Sequence, residues 1–91
     1  MKTFMKNARL DLPRLQNWET SDISIAATLY AVGAEFLGIQ WQDANKCSFS
    51  FTDSEDLHRT IDAYWRRQLS VEPQLVLSAL RALKAKVHDS R

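Results

Sequence analysis

Hydrophobic and polar residues alternate twice between positions 35 and 51, with a short polar break between the two stretches. The apolar positions share one face of each stretch: Leu37, Ile39 and Trp41 in the first, Cys47, Phe49 and Phe51 in the second. Opposed residues of paired strands must share a face, so we predict a β-hairpin that pairs Trp41 with Cys47, Ile39 with Phe49, and Leu37 with Phe51. This register leaves residues 43 to 45 as a three-residue loop, in which Asn45 adopts a left-handed conformation.

The residues before the hairpin predict a buried helix from Asp22 to Val32, ended by Gly33. Apolar side chains occupy most of the circumference of this helix. Such a helix is covered on more than one side, so we place it at the centre of the fold. The stretch from Trp18 to Thr20 is our candidate for a third strand, because a hairpin alone is only marginally stable in water.

Two further helices follow the hairpin. The second helix, from Ser54 to Gln68, begins with capping residues and carboxylates, and its predicted inward stripe is Leu57, Ile61, Tyr64 and Trp65. Pro73 opens the third helix, whose predicted inward stripe is Val76, Leu80, Leu83 and Val87, supported by Leu77 and Ala79. The predicted fold class is α+β: a small single domain with a short strand, a helix, a β-hairpin and two C-terminal helices, in the order β-α-β-β-α-α.

The chain has 91 residues, of which 45% are hydrophobic, and this is enough for one domain with one core. We assign residues 18 to 91 to that domain. Residues 1 to 17 are predicted to form a partly ordered N-terminal extension, whose candidates for a protein contact are Leu10, Leu12 and Leu15. The sequence has neither an apolar run that could cross a membrane nor the apolar stretch of a secretion signal, which predicts a cytoplasmic protein without membrane contact.

Charge is unevenly distributed, although the formal net charge is only +1. Residues 1 to 18 carry a net charge of +3, residues 19 to 62 carry −6, and residues 63 to 91 carry +4. Two basic ends around an acidic centre can give the molecule one positive face, or they can pair internally.

The segment from Ala63 to Gln68 combines aromatic residues with paired arginines, which suit phosphates and unstacked bases. If the second and third helices pack as an antiparallel pair, one positive surface would hold the candidate nucleic-acid-binding residues Arg66, Arg67, Arg81, Lys84, Lys86 and Arg91. The alternative is a plain solvated face, with the aromatic residues in the core and the basic residues as ordinary partners of the helix dipole.

The sequence offers little support for catalysis or metal binding. Cys47, the single cysteine, falls on the apolar face of a strand and is predicted to be a buried thiol. His58 and Asp62 have the spacing of a metal pair, but this spacing is common on any charged helix face. The carboxylates between positions 53 and 56 lack the glycine turn of a calcium loop, and helix capping explains them more simply. We therefore predict a non-enzymatic protein without catalytic residues, metal or cofactor.

Four segments carry a family resemblance: the run Trp18 to Ile23, the small-residue helix Ile25 to Leu29 ending at Gly33, the strand Cys47 to Phe51 leading into Asp53-Ser54, and Ala63 to Trp65 before the helix start Val71 to Pro73. Together they resemble a family of small bacterial and mobile-element proteins that is catalogued only as a domain of unknown function. The resemblance covers about residues 18 to 87. It implies the fold and a bacterial or phage setting, and it carries no catalytic residue across.

These features predict a small accessory or binding protein of a bacterial or mobile-element assembly, with nucleic-acid contact through the basic C-terminal helices. We expect a protein partner or a larger assembly. The alternative is a purely protein-binding adaptor or a self-associating module, which would use the N-terminal leucines or an open strand edge. Homo-oligomers are compatible with this alternative.

Overall fold

The computed structural model describes residues 17 to 90, which form a three-stranded antiparallel sheet and three helices. In chain order the elements are β1 (Asn17–Thr20), α1 (Ile23–Ala31), β2 (Phe36–Asp43), β3 (Lys46–Thr52), α2 (Glu55–Trp65) and α3 (Pro73–Asp89). This order confirms the predicted β-α-β-β-α-α fold. Arg91 and the candidate contact residues Leu10, Leu12 and Leu15 lie outside the described residues.

β1 is the third strand that the hairpin needs. It pairs antiparallel with β3, so the strand order is β1-β3-β2 and β3 is the central strand. Trp18 lies opposite Phe51, and both side chains contribute to the hydrophobic core. The predicted third strand at residues 18 to 20 is therefore confirmed.

The hairpin contains two of the three predicted pairs, Trp41 with Cys47 and Ile39 with Phe49. The third prediction is wrong, because Phe36 and not Leu37 lies opposite Phe51. The register shifts between Phe36 and Gly38, where Gly38 has a φ of +134° that residues with a side chain rarely adopt. This β-bulge leaves Leu37 46% exposed and places Phe36 against the core instead.

The turn of the hairpin is also tighter than predicted. Asp43 pairs with Lys46, which leaves Ala44 and Asn45 as a two-residue turn after a second register shift in β2. The Asn45 amide donates a hydrogen bond to the Asp43 carboxylate at 2.7 Å. Asn45 does not have a positive φ, so the predicted left-handed residue is wrong. The Asp43 side chain stabilises the turn in its place.

The core lies between the helices and one face of the sheet. Its largest fully buried side chains are Phe51, Leu29 and Leu83, which come from β3, α1 and α3. Residues 25 to 29 of α1 are all buried, which confirms the predicted central position of this helix. Phe36 packs edge-on against Phe51, with ring centroids 5.4 Å apart.

The helices begin and end at local signals in the sequence. The Asp22 carboxylate caps α1, and Gly33, with a φ of +92°, follows its last turn. The Ser54 hydroxyl accepts a hydrogen bond from the Leu57 amide at 3.1 Å and caps α2. Pro73 is the first residue of α3.

Two residues that were predicted to face inward face the solvent. Trp65, the last residue of α2, is 64% exposed, and Leu77 of α3 is 49% exposed. Adjacent helical residues point about 100° apart. Tyr64 contacts the core, so Trp65 points away from it, and half-buried Val76 likewise leaves Leu77 outside.

α1 lies between the other two helices. α2 and α3 each pack on α1 and make little contact with each other, so they do not form an antiparallel pair. The condition for a single positive surface is therefore not met, because the basic residues at the end of α2 and those along α3 belong to two helices that flank α1. None of the helices within residues 17 to 90 has the length and apolar character needed to cross a membrane.

Ser50 carries a buried hydroxyl that has no hydrogen-bond partner among residues 17 to 90. The residue is 2% exposed and lies in the central strand, on the opposite side from Phe49. Ser48, two positions earlier, donates to Glu19 at 2.9 Å and accepts from Gln42 at 3.1 Å. The two serines thus differ in hydrogen bonding while sharing a strand and a face.

We expect Ser50→Ala to raise the free energy of unfolding by about 1 kcal/mol, because the substitution removes a desolvated hydroxyl without breaking a hydrogen bond. Ser48→Ala is the matched control and should lower the same quantity by about 1 kcal/mol. Urea unfolding followed by circular dichroism measures both. Equal destabilisation by the two substitutions would contradict the assignment of Ser50 as unpartnered.

Candidate nucleic-acid interface

The end of α2 presents one aromatic residue and two arginines on a tight turn. Trp65 is the last helical residue, Arg66 is the C-cap, and Arg67 adopts a left-handed conformation with a φ of 60°. The amides of Arg67 and Gln68 donate to carbonyls of the last turn of α2, at 3.1 and 2.9 Å. This pair of hydrogen bonds is a Schellman motif, and it fixes the backbone from which the three side chains project.

Arg67 occupies a position that most often holds glycine. Among residues 17 to 90 it is the one residue other than glycine with a positive φ. The left-handed conformation costs an ordinary residue about 1 kcal/mol. Strained residues of this kind are often found at functional sites.

Arg67→Gly is expected to raise the free energy of unfolding by about 1 kcal/mol, because glycine adopts a positive φ without the steric cost of a Cβ atom. Arg66→Gly is the matched control. Arg66 has a right-handed backbone conformation, so its replacement relieves no strain and should instead lower stability by about 0.5–1 kcal/mol. Thermal unfolding of both variants tests this contrast, and destabilisation by Arg67→Gly would show that the turn is not strained.

Trp65 projects into solvent beside an anchored aromatic neighbour. Its ring centroid is 5.2 Å from that of Tyr64, and the two ring planes are nearly perpendicular, at 84°. Tyr64 in turn packs against the core. An exposed indole is therefore held next to a fixed ring and two arginines.

An open groove of about 330 Å³ lies beside this turn and joins α1, the end of α2 and the beginning of α3. It is lined by Thr28, Tyr64, Arg67, Leu69, Val71 and Val76. Arg67 is the charged residue of this otherwise mostly apolar lining. Positive charge and apolar surface therefore meet in this groove, which begins at the turn that follows Trp65.

Two exposed arginines of α2 are neutralised by carboxylates of the same helix. Arg59 lies 2.7 Å from Asp56, and it also lies 3.5 Å from Glu55. The Arg66 Nε atom forms an ion pair with Asp62 Oδ2 at 3.1 Å. These pairs have the spacing that stabilises a solvated helix face, and they reduce the charge that either arginine offers to a ligand.

Other predicted site residues keep their charge unpaired. Arg67, Arg81 and Lys84 are exposed, and within residues 17 to 90 none of them forms an ion pair. Arg81 and Lys84 are three positions apart and share one face of α3, as predicted. Lys86 lies on another face of α3, with its amino group 6.0 Å from the centre of the Phe36 ring.

The groups considered for catalysis or metal binding do not assemble into one site. His58 Nε2 lies 2.5 Å from Asp53 Oδ1, whereas Asp62 pairs with Arg66. Cys47 is half-buried, so it is less enclosed than predicted. In the part of the chain that the structure describes, no three His, Cys, Asp or Glu side chains group as metal ligands would.

The sequence pattern assigned Trp65 to the wrong side of α2. The apolar spacing of α2 accommodates it in the inward stripe, because it lies eight positions after Leu57. A weaker signal for its exposure is its position directly after Tyr64, since adjacent helical residues point about 100° apart and only one of the two can lie at the centre of the inward stripe.

No curated protein and no solved structure matches the chain. A family model matches residues 16 to 88. These residues contain the three strands, α1, α2 and all of α3 except its last residue, Asp89. The match spans well over half of the chain and includes Trp65, Arg67, Arg81 and Lys84. The protein belongs to the family described as a domain of unknown function, DUF5659.

Proposed function

We propose that this protein is a non-enzymatic binding module that contacts nucleic acid through Arg67 at the end of α2 and through Arg81 and Lys84 on α3. The observation that carries the proposal is the difference between these residues and Arg59. All four are exposed, but Arg59 is neutralised by neighbouring carboxylates, whereas the other three have no ion pair within the described residues. Positive charges without acidic partners favour a phosphate backbone as ligand.

Further basic residues supplement this set. Lys86 is exposed and carries positive charge along α3, and Arg91 follows α3 in the sequence, whereas the charge of Arg66 is paired with Asp62. The sequence resemblance supports a role as an accessory protein of a bacterial or mobile-element assembly. In such a role the domain supplies a nucleic-acid contact, and a protein partner supplies any chemistry.

Capture of the tagged protein from a lysate of its host tests this function. Nucleic acid should be retained at about 50 mM salt, released at about 200 mM salt, and bound again by the purified protein alone. Nuclease treatment separates direct retention of proteins from retention through nucleic acid. Purified protein that fails to bind nucleic acid at low salt would contradict the proposal.

A second candidate function is protein binding or self-association, and the arrangement of the sheet favours it. β1 and β2 are the outer strands, so each has one edge without a neighbouring strand among the described residues. An open edge can accept a strand from another chain.

Light scattering of the purified protein over a range of concentrations distinguishes this alternative. If self-association is the function, molar mass should rise with concentration and remain unaffected by salt and nuclease. Deletion of residues 1 to 16 should then change the oligomeric state if the N-terminal leucines take part. A monomer at all concentrations would contradict self-association.

A further inference from the structure

We infer that the nucleic acid bound by this protein is single-stranded, and that one of its unpaired bases stacks on Trp65. The inference rests on the proposed function and adds the class of nucleic acid to it. It is carried by the exposure of Trp65, the backbone that holds it, and the charge next to it.

The exposed indole is suited to stacking because the protein covers little of it. Trp65 keeps most of its area in solvent, and Tyr64 meets its ring in a perpendicular contact rather than by stacking. A nucleobase can therefore stack on the indole without displacing a protein side chain. Stacking of one base on an aromatic side chain changes affinity by about tenfold or more.

The turn after α2 places Arg67, whose side chain can bind a phosphate, close to Trp65 in the chain. Arg67 is two positions after Trp65, its backbone is fixed by the Schellman hydrogen bonds, and its guanidinium has no ion pair within the described residues. Glycine would relieve the strain at this position but would provide no positive charge. The arginine is therefore suited to contact the backbone of a strand whose base lies on Trp65.

Single-stranded nucleic acid fits this combination better than a duplex does. The bases of a duplex are stacked on each other, so a duplex could use the charges of Arg67, Arg81 and Lys84 but not the face of Trp65. A protein ligand would also accept an exposed tryptophan. The positive charge of Arg67, two positions after Trp65 and without an ion pair among the described residues, favours a polyanion instead.

Binding of fluorescently labelled oligonucleotides of about 20 residues tests the inference. The ligands are an oligothymidylate, an abasic strand of the same length and charge, and a duplex, and anisotropy is measured for wild type, Trp65→Ala and Trp65→Phe. We expect wild type to bind the oligothymidylate about tenfold more tightly than the abasic strand. Trp65→Ala should remove this preference without changing affinity for the abasic strand, and Trp65→Phe should restore most of it.

The possible outcomes separate the inference from the proposed function. Salt-dependent binding of every ligand, with no effect of Trp65→Ala, would overturn the inference and leave the proposed function intact. Failure of wild type to bind any of these polyanions at low salt would overturn both. Because Trp65 is exposed, circular dichroism should show that both variants are folded, so a loss of binding reports on stacking.

Discussion

Phe51→Ala is expected to lower the free energy of unfolding by about 3–5 kcal/mol. Phe51 has no exposed area, and it lies in the central strand between Trp18 of β1 and Phe36 of β2. Removal of its ring leaves a cavity where all three strands meet the helices, and the surrounding side chains can fill only part of it. Domains of this size are typically stable by about 5–10 kcal/mol, so the variant loses a large part of its stability. Urea unfolding followed by circular dichroism measures the change.

The beginning of β2 provides a matched control for this prediction. Leu37→Ala should cost less than about 1 kcal/mol, because Leu37 is the exposed residue of the bulge. Phe36→Ala should cost about 2 kcal/mol or more, because its ring contacts those of Tyr30 and Phe51. A larger cost for Leu37→Ala than for Phe36→Ala would show that the strands follow the register without a bulge.

Joint replacement of Arg67, Arg81 and Lys84 by alanine is expected to weaken binding to single-stranded nucleic acid on the order of 100-fold at low salt. Each residue is proposed to neutralise one phosphate, and each such contact releases counterions. The slope of log affinity against log salt should therefore become smaller by about 2, which is the value for three contacts on a single strand. Anisotropy titrations over a salt series measure the affinity and the slope together.

Arg59→Ala is the control for loss of one positive charge on the same molecule. Arg59 is exposed like the other three residues, but Asp56 and Glu55 already neutralise it. Its replacement should leave affinity and salt slope nearly unchanged. If Arg59→Ala weakened binding as much as the single replacement of Arg67, Arg81 or Lys84 by alanine, net charge rather than the position of these three residues would determine binding.

The parts of the fold that depend on local signals could be predicted from the sequence. Alternation of apolar residues predicted the hairpin, Ser54 and Pro73 marked two helix starts, and continuous apolar character placed α1 at the centre. The bulge at Gly38 was missed because the strand pattern is consistent with either Phe36 or Leu37 facing inward. Packing against Tyr30 and Phe51 decides between them, and this contact joins separate elements.

The sequence predicted which basic residues belong to the candidate site, but it did not predict which of them are unpaired or that Trp65 is exposed. The arginines and lysines were identified from the basic C-terminal third of the chain. Whether a charge is unpaired depends on carboxylates at helical spacing, which Arg59 and Arg66 have and Arg67 does not. Exposure of Trp65 depends on which aromatic residue of α2 packs against α1, and the apolar spacing alone gave the wrong answer.

The most direct test of nucleic-acid binding is a titration of a labelled single-stranded oligonucleotide with the purified wild-type protein at about 50 and 200 mM salt. We predict measurable binding at the lower salt concentration and an affinity that falls by roughly tenfold or more at the higher one, because three phosphate contacts release their counterions. Absence of binding at the lower concentration, or an affinity that does not change with salt, would contradict a phosphate-binding role for Arg67, Arg81 and Lys84.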